Sequence, residues 1–288
     1  MAVYERTYKR YTGEETPTGS RFLILPRYIF RDVFSSRWLL VSFVLCFVFP
    51  LLCAVVVHLA NNATFLEALP NFEIPDFLKM SATFLEQFLW TQGVLAFALT
   101  ILVGPGLISR DLANNGLPLY LSRPFTRTEY VIGKLSVLGI LLSAITWVPA
   151  FFLIALHANY AGMAWLTENL QLVFAVFVGS WVLILALGLL SLSVSAWVKW
   201  RPVAGFLIFF VALTGDFFGV LMFNNLFRTD YGKLVSFRAM MVETWAWLFG
   251  TTTGDSLPAF LVVAALGGFF GLCLFLLYTK IRAYEVVK

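Results

Sequence analysis

Six long apolar stretches constrain the fold of this 288-residue chain more than any other feature of its sequence. Each carries at most one charged side chain, and they lie at about 39–58, 87–109, 135–157, 170–195, 203–223 and 257–279. A helix of roughly 20 residues crosses a hydrocarbon core of about 30 Å, and backbone groups in lipid must be hydrogen-bonded within the protein. The stretches therefore predict an all-α integral membrane protein with six transmembrane helices between residues 39 and 279.

The Lys and Arg residues are concentrated on one side of these spans. If the N-terminus is cytoplasmic, sixteen of the twenty lie on that side, in segments 1–38, 110–134, 196–202 and 280–288. This bias predicts that both termini are cytoplasmic, in a multi-pass protein of the plasma (inner) membrane. It also accounts for the net charge of +4, so the lipid bilayer is a predicted partner and nucleic acid is not.

Two segments outside the spans are amphipathic. After a polar tail, residues 21–37 read RFLILPRYIFRDVFSSR, in which four arginines interleave with apolar side chains. This pattern favours an interfacial amphipathic helix in the headgroup plane within the 1–38 region; the alternative is a plain basic flank that sets topology. The connection at 224–256 carries Trp245 and Trp247 among polar residues, which predicts a short helix that dips back into the outer leaflet. Residues 280–288 form a second cytoplasmic tail.

Catalytic motifs are absent from the sequence. No GxxxxGK[ST] occurs, so the chain has no P-loop of its own, and no HExxH, GxSxG or GxGxxG occurs either. The three cysteines and two histidines show no metal-ligand spacing. We therefore predict no catalytic, cofactor or metal site in this chain and no enzymatic activity of its own.

Polar residues within the spans are the candidates for contact with a transported species. Asp216 lies in LTGDFFGV, inside the fifth span, where a carboxylate is costly and is expected to face a cavity or a partner. Alternatively the span ends early and Asp216 reaches the outer headgroups. Gln92, in the second span, is a weaker candidate. Farther along the same span, Gly104-Pro105-Gly106 predicts a kink.

The connection between the second and third spans, Arg110 to Lys134, is polar, basic and rich in turn-forming residues. Asn114-Asn115-Gly116 is typical of a helix end. The segment LPLYLS follows, and Pro124 ends it. Thr126 and Glu129 have the spacing of a capping box, which predicts a new helix start. We therefore expect a helix end, a short apolar element, a turn and a helix start.

This connection resembles the loop signature of permease subunits of the type 2 ABC exporter family. In that signature an acidic–basic pair is followed by G-[TS]-L, a pair of leucines, P-[ILF]-[ST]-R and a Y/F-xx-GK ending. The matching residues here are Arg110-Asp111, Gly116-Leu117, Leu119 and Leu121, Pro124 to Arg127, and Tyr130 to Lys134. Leu117 departs from the pattern, because a small hydroxyl residue usually stands before the leucine. The layout of six spans with a basic amphipathic lead-in is similar as well.

The resemblance implies a division of labour between two kinds of subunit. Such permeases pair as dimers and bind two cytoplasmic ATPase subunits, which hold ATP and Mg. The loop acts as a coupling helix seated on the ATPase, with Gly116 to Arg127 facing it and Arg31 and Asp32 as further contacts. The residues implied in coupling are Asp111, Gly116, Leu117, Leu119, Leu121, Pro124, Arg127 and Glu129.

The resemblance leaves more than one function open. The leading expectation is the membrane subunit of an ATP-driven exporter. A second is a non-transporting scaffold that transmits ATPase motion to an extracytoplasmic partner, for which the long outer segments leave room. A third is an integral membrane enzyme that modifies lipids. It would need a polar or acidic cluster at one membrane face, where the sequence has only scattered residues.

Overall fold

The computed structural model describes residues 24–61, 79–114, 116, 126–227, 230–254 and 256–281. Within these residues every regular element is helical. Six helical segments are long and apolar enough to cross a membrane: Arg37–Ala60, Ala82–Ala113, Arg127–Ala161, Leu170–Trp197, Arg201–Phe223 and Ala259–Lys280. The predicted all-α fold with six candidate spans is therefore confirmed. We call the side that carries the connection between the second and third spans the loop side, and the opposite side the far side.

Four of the six spans are interrupted. The helices, in chain order, are α1 (Ile24–Ser35), α2 (Arg37–Leu45), α3 (Val48–Ala60), α4 (Ala82–Val103), α5 (Pro105–Ala113), α6 (Arg127–Ile145), α7 (Trp147–Ala161), α8 (Met163–Glu168), α9 (Leu170–Trp197), α10 (Arg201–Gly215), α11 (Asn224–Phe227), α12 (Phe237–Phe249) and α13 (Ala259–Lys280). The first, second and third spans each consist of two helices. The fifth continues from α10 into a π-helical segment, Asp216–Phe223.

The helices that contain the second and third predicted spans extend beyond them. The predicted spans 87–109 and 135–157 stop at charged residues, whereas the helices run on past Glu86, Arg110 and Lys134. These charges are tolerated because they are paired. The Lys134 ammonium lies 2.8 Å from a carboxylate oxygen of Asp111, and the Glu86 carboxylate accepts a hydrogen bond from Thr251. Paired charged residues therefore lie within these two helices, outside the predicted apolar spans.

At the break in the first span, a side chain from the second span supplies the missing hydrogen-bond donor. Proline has no N–H, so Pro50 leaves the carbonyl four residues earlier, that of Cys46, without its usual helical donor. The Nε2 atom of Gln92 donates to this carbonyl at 3.2 Å. Gln92 is fully buried, so this bond joins two helices where no water can replace it.

A similar joint lies at the predicted kink in the second span, between Val103 and Pro105. Pro105 removes the usual donor for the carbonyl of Ile101. Gly205 of α10 lies directly against that carbonyl, because a Cβ atom at Gly205 would lie 3.3 Å from its oxygen. On the same helix, the Arg201 guanidinium donates to the carbonyl of Leu102 at 2.7 Å. The fifth span therefore contacts the backbone of the second span at its break.

The fourth span, α9, forms the centre of the bundle. It packs against helices of the second, third, fifth and sixth spans and against α12. Small residues allow close approach: a Cβ atom at Gly179 would lie 2.9 Å from the Trp245 ring, and one at Gly104 would collide with the Ser191 hydroxyl. The first, fifth and sixth spans are peripheral, with 22%, 11% and 22% of their apolar stretches buried.

Two helices outside the spans match the sequence prediction in their positions. Helix α1 is amphipathic, buries Val33 and packs against α6, while Arg27, Tyr28 and Arg31 are exposed. Helix α12 buries Met240, Met241, Trp245 and Phe249 against α4, α9 and α13. Whether α1 lies in the headgroup plane, and whether α12 dips into a leaflet, stay predictions.

The joint at Cys46 makes Gln92 a structural residue with a testable energy. Replacing Gln92 with Leu is expected to destabilise the protein by about 1–3 kcal/mol, because it leaves a buried carbonyl without a donor. Thermal unfolding in detergent would measure the loss. Gln87→Leu is the control, since Gln87 is exposed on the same helix.

The double variant Pro50→Ala/Gln92→Leu is expected to recover most of the lost stability, because alanine restores the helical donor to Cys46. No recovery in the double variant would show that the Gln92–Cys46 bond is not what stabilises this joint.

Candidate functional site

The loop-side ends of the second and third spans are joined by a network of charged and polar groups, part of it buried, which we call the loop-side network. It consists of Asp32, Arg110, Asp111, Tyr130 and Lys134. Lys134 and the hydroxyl of Tyr130 both contact the same Asp111 oxygen, at 2.8 Å and 2.7 Å. The Lys134 side chain is only 5% exposed and its ammonium lies 5.4 Å from the Tyr130 ring centre. The pair is therefore shielded from solvent and holds α5 against α6.

The same network reaches the lead-in helix α1 through an ion pair between Arg110 and Asp32. Both side chains are about half exposed, so this pair contributes little to stability, on the order of 0–1 kcal/mol. The ion pair instead fixes the position of α1 relative to α5. Arg110 and Asp111 are neighbours in the last turns of α5, and they link that helix to α1 on one side and to α6 on the other.

The predicted helix boundaries around the connection are present. Helix α5 ends at Ala113, with Asn114 as its cap. Helix α6 begins with a capping box: the Thr126 N–H donates to the Glu129 carboxylate at 2.7 Å, and the Glu129 N–H donates to the Thr126 hydroxyl at 3.2 Å. Asn114 has a φ of −93°, so it ends the helix without the left-handed conformation that its residue type suggested.

The residues implied in ATPase coupling fall into three groups. Asp111 and Glu129 are engaged in the ion pair and the capping box, and the Gly116 N–H donates to the Asp111 carbonyl at 2.7 Å. Arg127 is exposed on the first turn of α6, and Arg31 is exposed on α1. The other four, Leu117, Leu119, Leu121 and Pro124, lie outside the described residues.

A second site lies towards the far side, where α4, α10 and α12 enclose an apolar cavity that we call the far-side slot. Its volume is about 180 Å³. Its walls are largely aromatic and aliphatic, with Asp216 and Arg238 as the charged residues among them; the lining residues are Trp90, Gly93, Val94, Phe97, Leu183, Phe209, Ala212, Leu213, Asp216, Phe237, Arg238, Met241 and Trp245.

Asp216 is paired within the protein. The Nε atom of Arg238 lies 2.9 Å from one carboxylate oxygen, and the Ser236 hydroxyl donates to the other. The carboxylate is 28% exposed, and Arg238 lies 5.9 Å from the Trp90 ring centre. A carboxylate within a membrane span is expected to have such partners. Sequence reasoning missed both of them, since they lie 20 and 22 residues farther along the chain.

Two glycines bring the fifth span against the segment that carries these partners. A Cβ atom at Gly215 would lie 2.9 Å from the carbonyl oxygen of Val235, and one at Gly219 would collide with the carbonyl of Gly232. Both glycines therefore permit the close packing that places Ser236 and Arg238 beside Asp216. The π-helical geometry begins at Asp216 itself, a feature that is frequent at functional sites.

Other polar residues that the sequence singled out lie outside this slot. Gln92 donates to the Cys46 carbonyl at the break in the first span. That Gln92 also contacts a transported species stays a prediction. His58 shares a 2.6 Å hydrogen bond with the Tyr160 hydroxyl, and His157 lies 3.4 Å from the Asn61 amide nitrogen. These contacts join the far-side ends of the first and third spans. Among the residues with described positions, no cluster of His, Cys, Asp or Glu is suited to a metal ion.

No protein-family model matches the chain, and no curated protein matches it. Two kinds of observation bear on the function of the chain. One is the sequence signature of the connection between the second and third spans. The other is the pair of sites at opposite ends of the bundle, the loop-side network and the far-side slot.

The loop-side network is expected to be sensitive to the loss of one partner. Lys134→Met leaves the Asp111 carboxylate largely buried without its cation, at a cost of about 3–5 kcal/mol. The double variant Asp111→Asn/Lys134→Met removes both charges and is expected to regain most of that loss. Thermal unfolding of the single and double variants in detergent would measure the coupling. Arg127→Met is the control, because Arg127 is exposed; an equal loss there would contradict the assignment.

Proposed function

We propose that this chain is the membrane-spanning subunit of an ATP-driven exporter similar to the type 2 ABC exporters. It couples hydrolysis by a separate ATPase subunit to movement of a substrate across the membrane. The observation that carries the proposal is the connection between the second and third spans. Its sequence resembles the family signature, with a departure at Leu117, and its two ends are held by the Asp111–Lys134 ion pair and the Thr126–Glu129 capping box.

A surface that receives mechanical work must be stiffly joined to what it moves. Helix α5 ends and helix α6 begins at the connection, and the Asp111–Lys134 ion pair links the two helices. Both helices pack against the central helix α9. Since packed interiors transmit displacement rather than absorb it, a push on the connection would move the second and third spans together and reach the centre of the bundle.

ATP and Mg are assigned to the partner subunit, because the sequence contains no P-loop. In the proposed assembly the loop side faces the cytoplasm of a plasma (inner) membrane protein, and both termini lie on that side. The connection, together with the exposed Arg31 and Arg127, then faces the ATPase. The first, fifth and sixth spans expose long apolar faces, which are covered by lipid or by a second copy of the chain.

The far-side slot supplies the proposed contact for the transported species. It is an apolar cavity with a charged pair at one end, formed by Asp216 of the fifth span and Arg238 of α12. The alternative function, a non-transporting scaffold, is favoured by a different observation. The segment from Asp230 to Phe249 is helical and well packed on the far side, and exposes Tyr231 and Val235, so it offers a surface to an extracytoplasmic partner.

Coupling through the connection predicts that single substitutions there separate the two subunits. Leu119→Ala and Arg127→Ala are expected to reduce co-purification of a P-loop ATPase and its stimulated activity several-fold, while membrane insertion is unchanged. Lys199→Ala is the matched control, since Lys199 is an exposed cation on the same side outside the signature. If both variants retain full co-purification and activity, the coupling assignment is wrong.

Transport and scaffolding are separated by reconstitution of the chain with its ATPase in vesicles. An exporter moves a cargo that stimulates hydrolysis; stimulation without movement would favour the scaffold. Within this assay Asp216→Asn is expected to lower transport at least several-fold, because it removes the charge that orients Arg238. Unchanged transport would reduce Asp216 to a structural residue at the end of the fifth span.

A further inference from the structure

The far-side slot has a direction, because two antiparallel helices line it over the same length. On α4, Phe97 lies seven residues beyond Trp90, and on α10, Phe209 lies seven residues before Asp216. Each separation corresponds to about 10 Å along a helix, towards the loop side in both cases. The charged pair therefore occupies one end of an elongated cavity, and the aromatic rings of Phe97 and Phe209 lie at the other.

The depth of the slot follows from helix geometry when Arg201 is taken as the loop-side boundary of the fifth span. Asp216 follows Arg201, the first residue of α10, by fifteen residues, or about 22 Å of helix. A hydrocarbon core is about 30 Å thick, so the charged end lies in the far-side leaflet and the aromatic end extends towards the membrane centre. This is the orientation of an amphiphile in that leaflet, with its headgroup outward and its tail inward.

The charges at the slot favour one sign of headgroup. The Asp216 carboxylate already accepts from Ser236 and from the Nε of Arg238, so its charge is compensated. Arg238 donates to Asp216 through Nε alone, and in the described part of the chain neither of its terminal nitrogens has an acceptor. A guanidinium presents five donors in a rigid fork suited to phosphate or carboxylate. With 48% of its side chain exposed, Arg238 can bind an oxyanion by donating hydrogen bonds from its terminal nitrogens.

From this geometry we infer that the far-side slot binds an amphiphile with a single anionic headgroup. Arg238 holds the phosphate or carboxylate, Trp90 flanks the arginine, and the apolar tail lies along Phe97, Phe209 and Leu213. The shared chemistry fits both an anionic phospholipid and a single-chain anionic amphiphile. That such a molecule is the exporter's cargo depends on the proposed function; binding itself does not.

Binding can be tested on the full chain alone, in phosphatidylcholine nanodiscs without an ATPase. The probe is radiolabelled decyl phosphate, with empty nanodiscs subtracted. Unlabelled decyl phosphate is expected to compete, whereas decanol, decyltrimethylammonium and inorganic phosphate each lack one half of the required chemistry and should compete at least tenfold more weakly. Equal competition by the three decyl compounds would overturn the inference, because the headgroup would then be irrelevant.

Four variants locate the site. Arg238→Gln is expected to weaken binding roughly tenfold or more, as loss of a charge-assisted contact implies, and Arg238→Lys to retain part of it. Leu213→Trp should block the slot, whereas Val211→Trp, on an exposed position of the same helix outside the lining, should not. Loss of binding in Asp216→Asn with none in Arg238→Gln would indicate a cationic ligand and overturn the inference.

Two further comparisons are informative. One distinguishes a bilayer phospholipid from a single-chain amphiphile as the natural ligand, and the other distinguishes failure of the exporter proposal from failure of the ligand inference. If nanodiscs that contain phosphatidylglycerol reduce decyl phosphate binding, a bilayer phospholipid is the natural occupant; if they do not, a single-chain amphiphile is. Both results support an anionic amphiphile. If the chain binds decyl phosphate in nanodiscs but forms a complex with no P-loop ATPase in the co-purification experiment, only the exporter assignment is contradicted. If it forms that complex but does not bind decyl phosphate, only the present inference is contradicted.

Discussion

The structure depends on one constraint: a backbone carbonyl surrounded by hydrocarbon needs a donor from the protein. Pro50 in the first span and Pro105 in the second have no backbone N–H, so each leaves one carbonyl without its helical donor. At the first break the missing donor comes from Gln92, and at the second Gly205 and Arg201 bring the fifth span onto the exposed backbone. Each break thus becomes a point at which two spans are joined. The bundle is held at its kinks by directional bonds as well as by apolar packing.

The charged residues obey the same constraint and mark the two ends of the molecule. Lys134 with Asp111 holds the helices that flank the connection, and Arg238 with Asp216 holds the far-side segment against the fifth span. The two pairs differ in accessibility. The first is nearly buried, which fits the proposed role of its two helices in transmitting motion. The second is partly exposed beside a cavity and leaves donors available, which suits a reversible ligand.

Much of the fold could be predicted from local sequence, and most of the site could not. The six spans follow from apolar runs, and the capping box at Thr126 follows from the three-residue spacing to Glu129. The pairing of Lys134 with Asp111, which lets a charged residue lie within the helix of the third span, is invisible in sequence. The partners of Gln92, Asp216 and His58 are 46, 22 and 102 residues distant. Only tertiary structure brings them together.

The bond between Gln92 and Cys46 also sets an order for biogenesis. Synthesis proceeds from the N-terminus, so the first span is made while the donor for its Cys46 carbonyl does not yet exist. The Cys46 carbonyl gains this donor only when the second span has entered the membrane beside the first. At the break in the second span, Arg201 and its contact with the Leu102 carbonyl likewise come about a hundred residues later. The interhelical contacts at both breaks are thus completed only when a later span packs beside an earlier one.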